Sequence, residues 1–246
     1  MLGRKTLCSF VMVSLYAGAA FGAPIVATLD PSDSHTLASV MANGMLVGDK
    51  LFDDFRLTIG TDVTTAAPSA DSIMVTGVQI GGDYGLRFNG PWSASADEVS
   101  GMTLKYGVWV QEPDLSAGWV IEDFTLWSND MAVTETTGGG HISISANLLE
   151  TDPDDGPATP VVQPTPTIYY STEQTQFDLV DDAQFPGRAS MYVLTGLVAN
   201  GGTDPGGAGV AKVTEFYQTF SQIPEPATLG LMAAGGLLVL VRRRKK

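Results

Sequence analysis

The sequence predicts an all-β protein, an antiparallel β-sandwich of jelly-roll type. Three observations predict it. Apolar and polar residues alternate with a period of two in several stretches. About ten short apolar runs are bounded by Gly, Pro, Asn or Asp. No long amphipathic helix interrupts them, and 28 glycines and 14 prolines argue against a helical or coiled-coil chain.

In chain order, residues 36–46 predict a short helix. Phe55, Leu57 and Ile59 alternate briefly, and Ile73–Ile80 and Tyr84–Phe88 are β-branched or aromatic runs. Met102, Leu104, Tyr106, Val108 and Val110 give the clearest strand, with Thr103, Lys105, Gly107 and Trp109 between them. Trp119–Trp127 follows. Ile142, Ile144, Ala146 and Leu148 alternate with Ser143, Ser145 and Asn147. Thr167–Ser171, Ala189–Val198 and Val210–Phe220 complete the set. Residues 150–166 hold five of the 14 prolines, so they are an extended surface loop or an interdomain linker. The Gly-rich residues 199–209 read as a second loop.

Length bounds the chain to one large domain or two small ones, long enough to bury a core. There are 13 basic and 27 acidic side chains, for a net charge of -14. Seven of the cations lie at the two ends and 26 of the acids lie between them, so the central body carries a net charge of −20. Such a surface excludes nucleic acid as a partner.

The ends carry the addressing. Arg4 and Lys5 precede an apolar stretch from Thr6 to Ala20, and Ala20-Phe21-Gly22 supplies small residues for cleavage. Residues 1–22 therefore predict a secretory signal peptide, cut between Gly22 and Ala23 and read by a Sec-type export machinery. Cys8 is the single cysteine, so removal of the signal leaves no disulfide, Cys nucleophile or Cys-based zinc site. At the other end stand Ile223-Pro224-Glu225-Pro226, an uncharged Ala227–Val241, and the basic run Arg242, Arg243, Arg244, Lys245 and Lys246. As a helix the 15 uncharged residues span about 22 Å against a hydrocarbon core of about 30 Å. Snorkelling arginines and local thinning close that gap. The cations stay cytoplasmic, leaving the body on the far side as an ectodomain. Residues 1–22, 23–222 and 223–246 are thus the expected signal, ectodomain and single short transmembrane segment.

The order Pro-Glu-Pro, short apolar helix, terminal arginine cluster resembles the PEP-CTERM sorting signal of bacterial exported proteins. The resemblance implies Pro224, Glu225 and Pro226 as the sorting motif. It implies an exosortase as the partner that removes the tail, and a cell-surface or extracellular destination beside extracellular polysaccharide. Residues 48–55, 85–88 and 104–108 also resemble a recurrent ectodomain of such proteins, one with no activity to transfer.

Chemistry is sparse. His35 and His141 are the two histidines, and neither has a second His or Cys at ligand spacing. No Gly-x-Ser-x-Gly elbow or phosphate-cradling loop exists. No cofactor is implied. Asp152, Asp154 and Asp155 make a calcium-like composition, but Thr151 and Pro153 break the EF-hand register. Asp53-Asp54, Glu122-Asp123 and Asp181-Asp182 are adjacent, so a strand turns each pair to opposite faces. Trp92, Trp109, Trp119 and Trp127 either fill the core or form a sugar-stacking surface. Three functions stand open: a non-enzymatic surface or matrix protein, a glycan- or calcium-binding module, and a carboxylate-dependent hydrolase.

Overall fold

A computed structural model describes residues 23–60, 64, 65, 67–134, 139–171, 178–203 and 209–224. Residues 1–22, the expected signal segment, and the tail from Glu225 onward lie outside the described residues. The elements run β1 (Ile25–Val26), β2 (Ser34–Thr36), α1 (Leu37–Asn43), β3 (Met45–Val47), β4 (Lys50–Ile59), β5 (Met74–Ile80) and β6 (Asp83–Ser95). They continue as β7 (Val99–Val110), β8 (Trp119–Thr134), β9 (His141–Leu149), β10 (Thr167–Ser171), β11 (Val180–Arg188), β12 (Ser190–Asn200) and β13 (Val210–Pro224).

Two sheets face each other, as the alternation predicts. One has the order β1-β3-β4-β7-β12-β9-β10, the other β11-β8-β13-β6-β5-β2. Every pairing is antiparallel except the short β1–β3 contact. Strands from before and after residues 150–166 share both sheets, so that stretch is a loop returning from β9 to β10, as its bond from Val161 N to Leu148 O shows.

The helix is shorter than the sequence suggests. The Thr36 side chain accepts the Ser39 N–H at the N-cap, and Gly44 at φ 69 ends the helix. Met45–Val47 then forms a strand, because Gly44 lets the chain turn at once into β3. β11 was not expected. Its Asp181, Asp182 and Pro186 mask the alternation of Ala183 and Phe185, which are buried at a sheet edge.

The core lies between the sheets and is rich in rings. Phe52 of β4 meets Phe220 of β13 at 5.7 Å, and Phe88 of β6 meets Tyr106 of β7 at 6.2 Å, both across the sandwich. Trp92 is fully buried beside Phe216 at 5.5 Å. A polar chain crosses this apolar interior. Tyr106 Oη donates to Gln218 Oε1 at 2.7 Å, and Gln218 Nε2 donates to Thr195 Oγ1 at 2.8 Å. All three residues are buried, and burial pushes the Tyr106 phenol well above its ordinary range.

Replacing Gln218 by Leu leaves two buried hydroxyls without that partner, at a cost of about 1–3 kcal/mol. For a domain of this size that lowers Tm by about 2–4 °C for each kcal/mol. The triple variant Tyr106→Phe, Thr195→Val, Gln218→Leu removes all the polar groups together and should lose less than the three single losses added. Denaturant midpoints of the parent, the three single variants and the triple variant check this, and simple additivity would refute the coupling.

Candidate functional site

A cleft opens at one end of the sandwich, where the two sheets part. Lys50 of β4 and Tyr84 of β6 stand two residues beyond the core residues Phe52 and Leu86 on their own strands. They therefore point between the sheets, where the core gives way to solvent. The β3–β4 turn is Gly48-Asp49, with Gly48 at φ 59. A Cβ there would come within 2.6 Å of the Tyr84 ring carbons, so only glycine lets that ring lie across the turn. The β7–β8 loop brings Asp114, whose carbonyl accepts the Trp119 N–H at 3.0 Å. Gln111 N bonds Asp49 O at 2.8 Å and ties that loop to the turn. Gln222 comes from the end of β13.

Two adjoining hollows share Asp49, Tyr84 and Asp114. One holds about 230 Å³ and is also lined by Lys50, Asp83, Trp119 and Gln222. The other holds about 460 Å³ and extends over Gln111 and Glu112. Lys50 is only 1% exposed, and its Nζ bonds Asp49 Oδ1 at 2.9 Å while lying 5.4 Å from the Tyr84 ring centre. Gln222 Nε2 donates to Asp49 Oδ2, and Gln222 Oε1 is buried with no donor. No sequence motif announces this cleft, because its walls come from four chain segments between residues 46 and 222.

The acidic loop lies elsewhere, on the outer face of the seven-stranded sheet. Lys105 projects outward from β7 yet is 4% exposed, because this loop covers it. Its Nζ donates to Asp54 Oδ2 at 2.8 Å, Asp152 Oδ1 at 2.8 Å and Asp154 Oδ2 at 2.7 Å. Asp54 reaches it because β4 slips register between Asp53 and Arg56, with Asp54 at φ 53. Arg56 Nη1 also reaches Asp154 at 2.7 Å. An ammonium group, not an open cage, sits among the candidate calcium ligands. Asp155 contributes a backbone bond from its N–H to Asp152 O at 3.2 Å. Among the described residues no group of three His, Cys, Asp or Glu is arranged to hold a metal ion. Burial opposes the Lys105 charge, but its bonds to Asp152, Asp154 and Asp54 outweigh burial and hold the amine above its ordinary range. Burial likewise works to raise Asp152, and the bonds from Lys105 and from Asp154 N–H outweigh it and lower its carboxyl.

The tryptophans share no surface. Trp92 is in the core. Trp109 meets Tyr192 edge-on at 5.8 Å on the outer face of the seven-stranded sheet. Trp127 stacks on Tyr217 at 3.8 Å, and Trp119 lines the cleft. His35 Nε2 contacts Asp33 Oδ1 at 3.1 Å. His141 begins β9, its Nδ1 3.2 Å from Gly139 O and its ring stacked on Tyr169. Asp123 on β8 is raised by partial burial, and then by the charges of Asp83, Asp182 and Glu122. Asp123 is not among the residues lining the cleft.

Two outcomes follow for stability. The double variant Asp152→Asn, Asp154→Asn strips carboxylates from a covered ammonium and should cost about 1–3 kcal/mol. In the parent protein, millimolar calcium should add nothing to Tm beyond matched ionic strength, because Lys105 Nζ takes the central position. A calcium-specific rise in Tm overturns that. For Asp123 the folded state holds the proton more tightly than the unfolded state. Stability is therefore lost as pH rises through the raised value. Asp123→Asn should raise Tm at pH 7, and the gain should vanish below about pH 3.

Comparison with known proteins reaches the two parts of the chain unequally. Residues 222–245 match the family model of the PEP-CTERM protein-sorting motif. No curated protein matches the chain. A solved structure of TmCBM61 in complex with β-1,4-galactotriose is similar at 9% identity and a TM-score of 0.29, over 68% of this chain and 89% of that one. Among the described residues no helix is long and apolar enough to cross a membrane, and Ala227–Val241 lies outside them. Pro224, the first residue of the Pro-Glu-Pro triplet, ends β13 paired with Trp119. The chain thus carries a PEP-CTERM protein-sorting motif, the mark of an exported protein, directly at the end of a two-sheet β-sandwich.

Proposed function

We propose that this chain is a non-enzymatic protein of the cell surface or extracellular matrix, exported by a Sec-type machinery and processed at its C-terminus by an exosortase. The observation that carries the reading is the sorting motif at residues 222–245. In this reading residues 1–22 are the signal, removed between Gly22 and Ala23, and residues 23–222 are the delivered ectodomain. The segment 223–246 is the sorting tail. Pro224, Glu225 and Pro226 are what the exosortase reads. Ala227–Val241 spans the membrane, and Arg242, Arg243, Arg244, Lys245 and Lys246 hold its end in the cytoplasm.

A second reading adds polysaccharide binding outside the cell. It is favoured by the end cleft, which sets an indole beside carboxylates and an amide.

Changing Pro224, Glu225 and Pro226 to alanine should leave export intact and block tail removal. Mass spectrometry of the C-terminus in the native host checks this. A variant trimmed at the same position as the parent overturns the exosortase assignment.

A further inference from the structure

We infer that the end cleft is a binding site for a neutral saccharide unit, with Trp119 as its stacking surface and Asp83 and Asp114 as its hydroxyl-recognising groups. This deepens the polysaccharide reading above and rests on it, but not on the sorting assignment.

The ligand class follows from what the lining offers and what it excludes. The hollow shares its walls with charged and amide side chains, so a purely apolar ligand would strand their polar atoms. An anion would meet Asp49, Asp83 and Asp114 in a body of net charge −20. A cation finds its best place taken: Lys50 Nζ already bonds Asp49 and lies over Tyr84. What remains is a neutral molecule with hydroxyl donors and an apolar face. A pyranose has both. Its axial C–H face covers an indole, while vicinal hydroxyls donate to a carboxylate or share a side-chain amide.

Gln222 Nε2 is held by Asp49, which fixes that side chain as a wall of the hollow. Asp83 and Asp114 line the same hollow from the start of β6 and the β7–β8 loop. The walls are built rather than incidental. Gly48 is required beneath Tyr84, and Asp49 is fixed through three contacts with Lys50, Gln222 and Gln111. Pre-formed walls keep the entropy cost of binding low. The adjoining 460 Å³ hollow continues the groove past Gln111, which suits a unit within a chain rather than a lone monosaccharide.

The test is calorimetric titration of the full chain, held in a sugar-free zwitterionic detergent, with tetramers of α- and β-linked glucose, galactose and mannose. Tetragalacturonate and tetralysine serve as the anionic and cationic probes. At least one neutral tetramer should bind, and tetragalacturonate should not. Trp119→Ala should weaken that binding at least tenfold. Trp119 also packs on the core, so the double variant Asp83→Asn, Asp114→Asn is the second arm, expected to weaken binding at least tenfold with Tm not lowered. Failure of every neutral tetramer to bind overturns the proposal. So does binding unaffected by the two arms, or tighter binding of tetralysine. C-terminal trimming of the same variants, read by mass spectrometry, reports on sorting separately, so the two readings fail independently.

Discussion

The register of the two sheets depends on one buried polar chain. Tyr106, Gln218 and Thr195 link β7 and β12 of one sheet to β13 of the other at 2.7 and 2.8 Å. The ring-rich packing around them is tolerant of sliding, since contacts among Phe52, Phe88, Phe216 and Phe220 have no donor or acceptor to satisfy. Moving either sheet by one residue pair would bury three polar groups without partners. The chain has one cysteine, Cys8, so no disulfide between its sheets can set that register. A hydrogen-bonded chain in an apolar core does so through the cost of breaking it.

The strands with clean alternation were legible. Met102 to Val110 and Ile142 to Leu148 are buried at the expected positions, and period two in a half-buried sheet leaves little ambiguity. Legibility failed where local geometry breaks the period. The Asp53-Asp54 bulge hides the first half of β4, whose Lys50 and Phe52 are nevertheless buried. Gly90 and Pro91 truncate the apparent β6, which runs on to Ser95 because the Trp92 ring covers the space above Gly90. β11 reads as loop because an edge strand carries acids and a proline in the service of solubility.

The candidate sites divide in the same way. Asp152 and Asp154 were visible as a cluster, but their partner was not, since Lys105 lies 47 residues from Asp152 and reads as the polar side of a strand. Covering that lysine adds to the backbone bonds, such as Val161 N to Leu148 O, that hold the Pro-containing loop on the sheet. Of the end cleft only Trp119 was legible, as one of four candidate stacking tryptophans. Its aromatic and acidic walls are ordinary turn and strand-end residues until the sandwich closes and turns their side chains into one space.

Closure also brings the chain's address and its cleft together. Gln222 is at once the first residue of the sorting-motif match and a wall of the cleft, and Pro224 pairs with Trp119, another wall. The sorting segment therefore begins inside the hydrogen-bonded sheet rather than on a spacer. A processing enzyme that needs an extended substrate must either cut beyond Pro224 or pull the last residues of β13 from β8. Cutting beyond Pro224 leaves Gln222 and its bond to Asp49 in place, so the cleft survives intact. Pulling on β13 removes Gln222 from Asp49, and a filled cleft would resist that by the free energy its occupant gains from the closed wall. The same few residues thus belong both to the sheet and to the sorting-motif match.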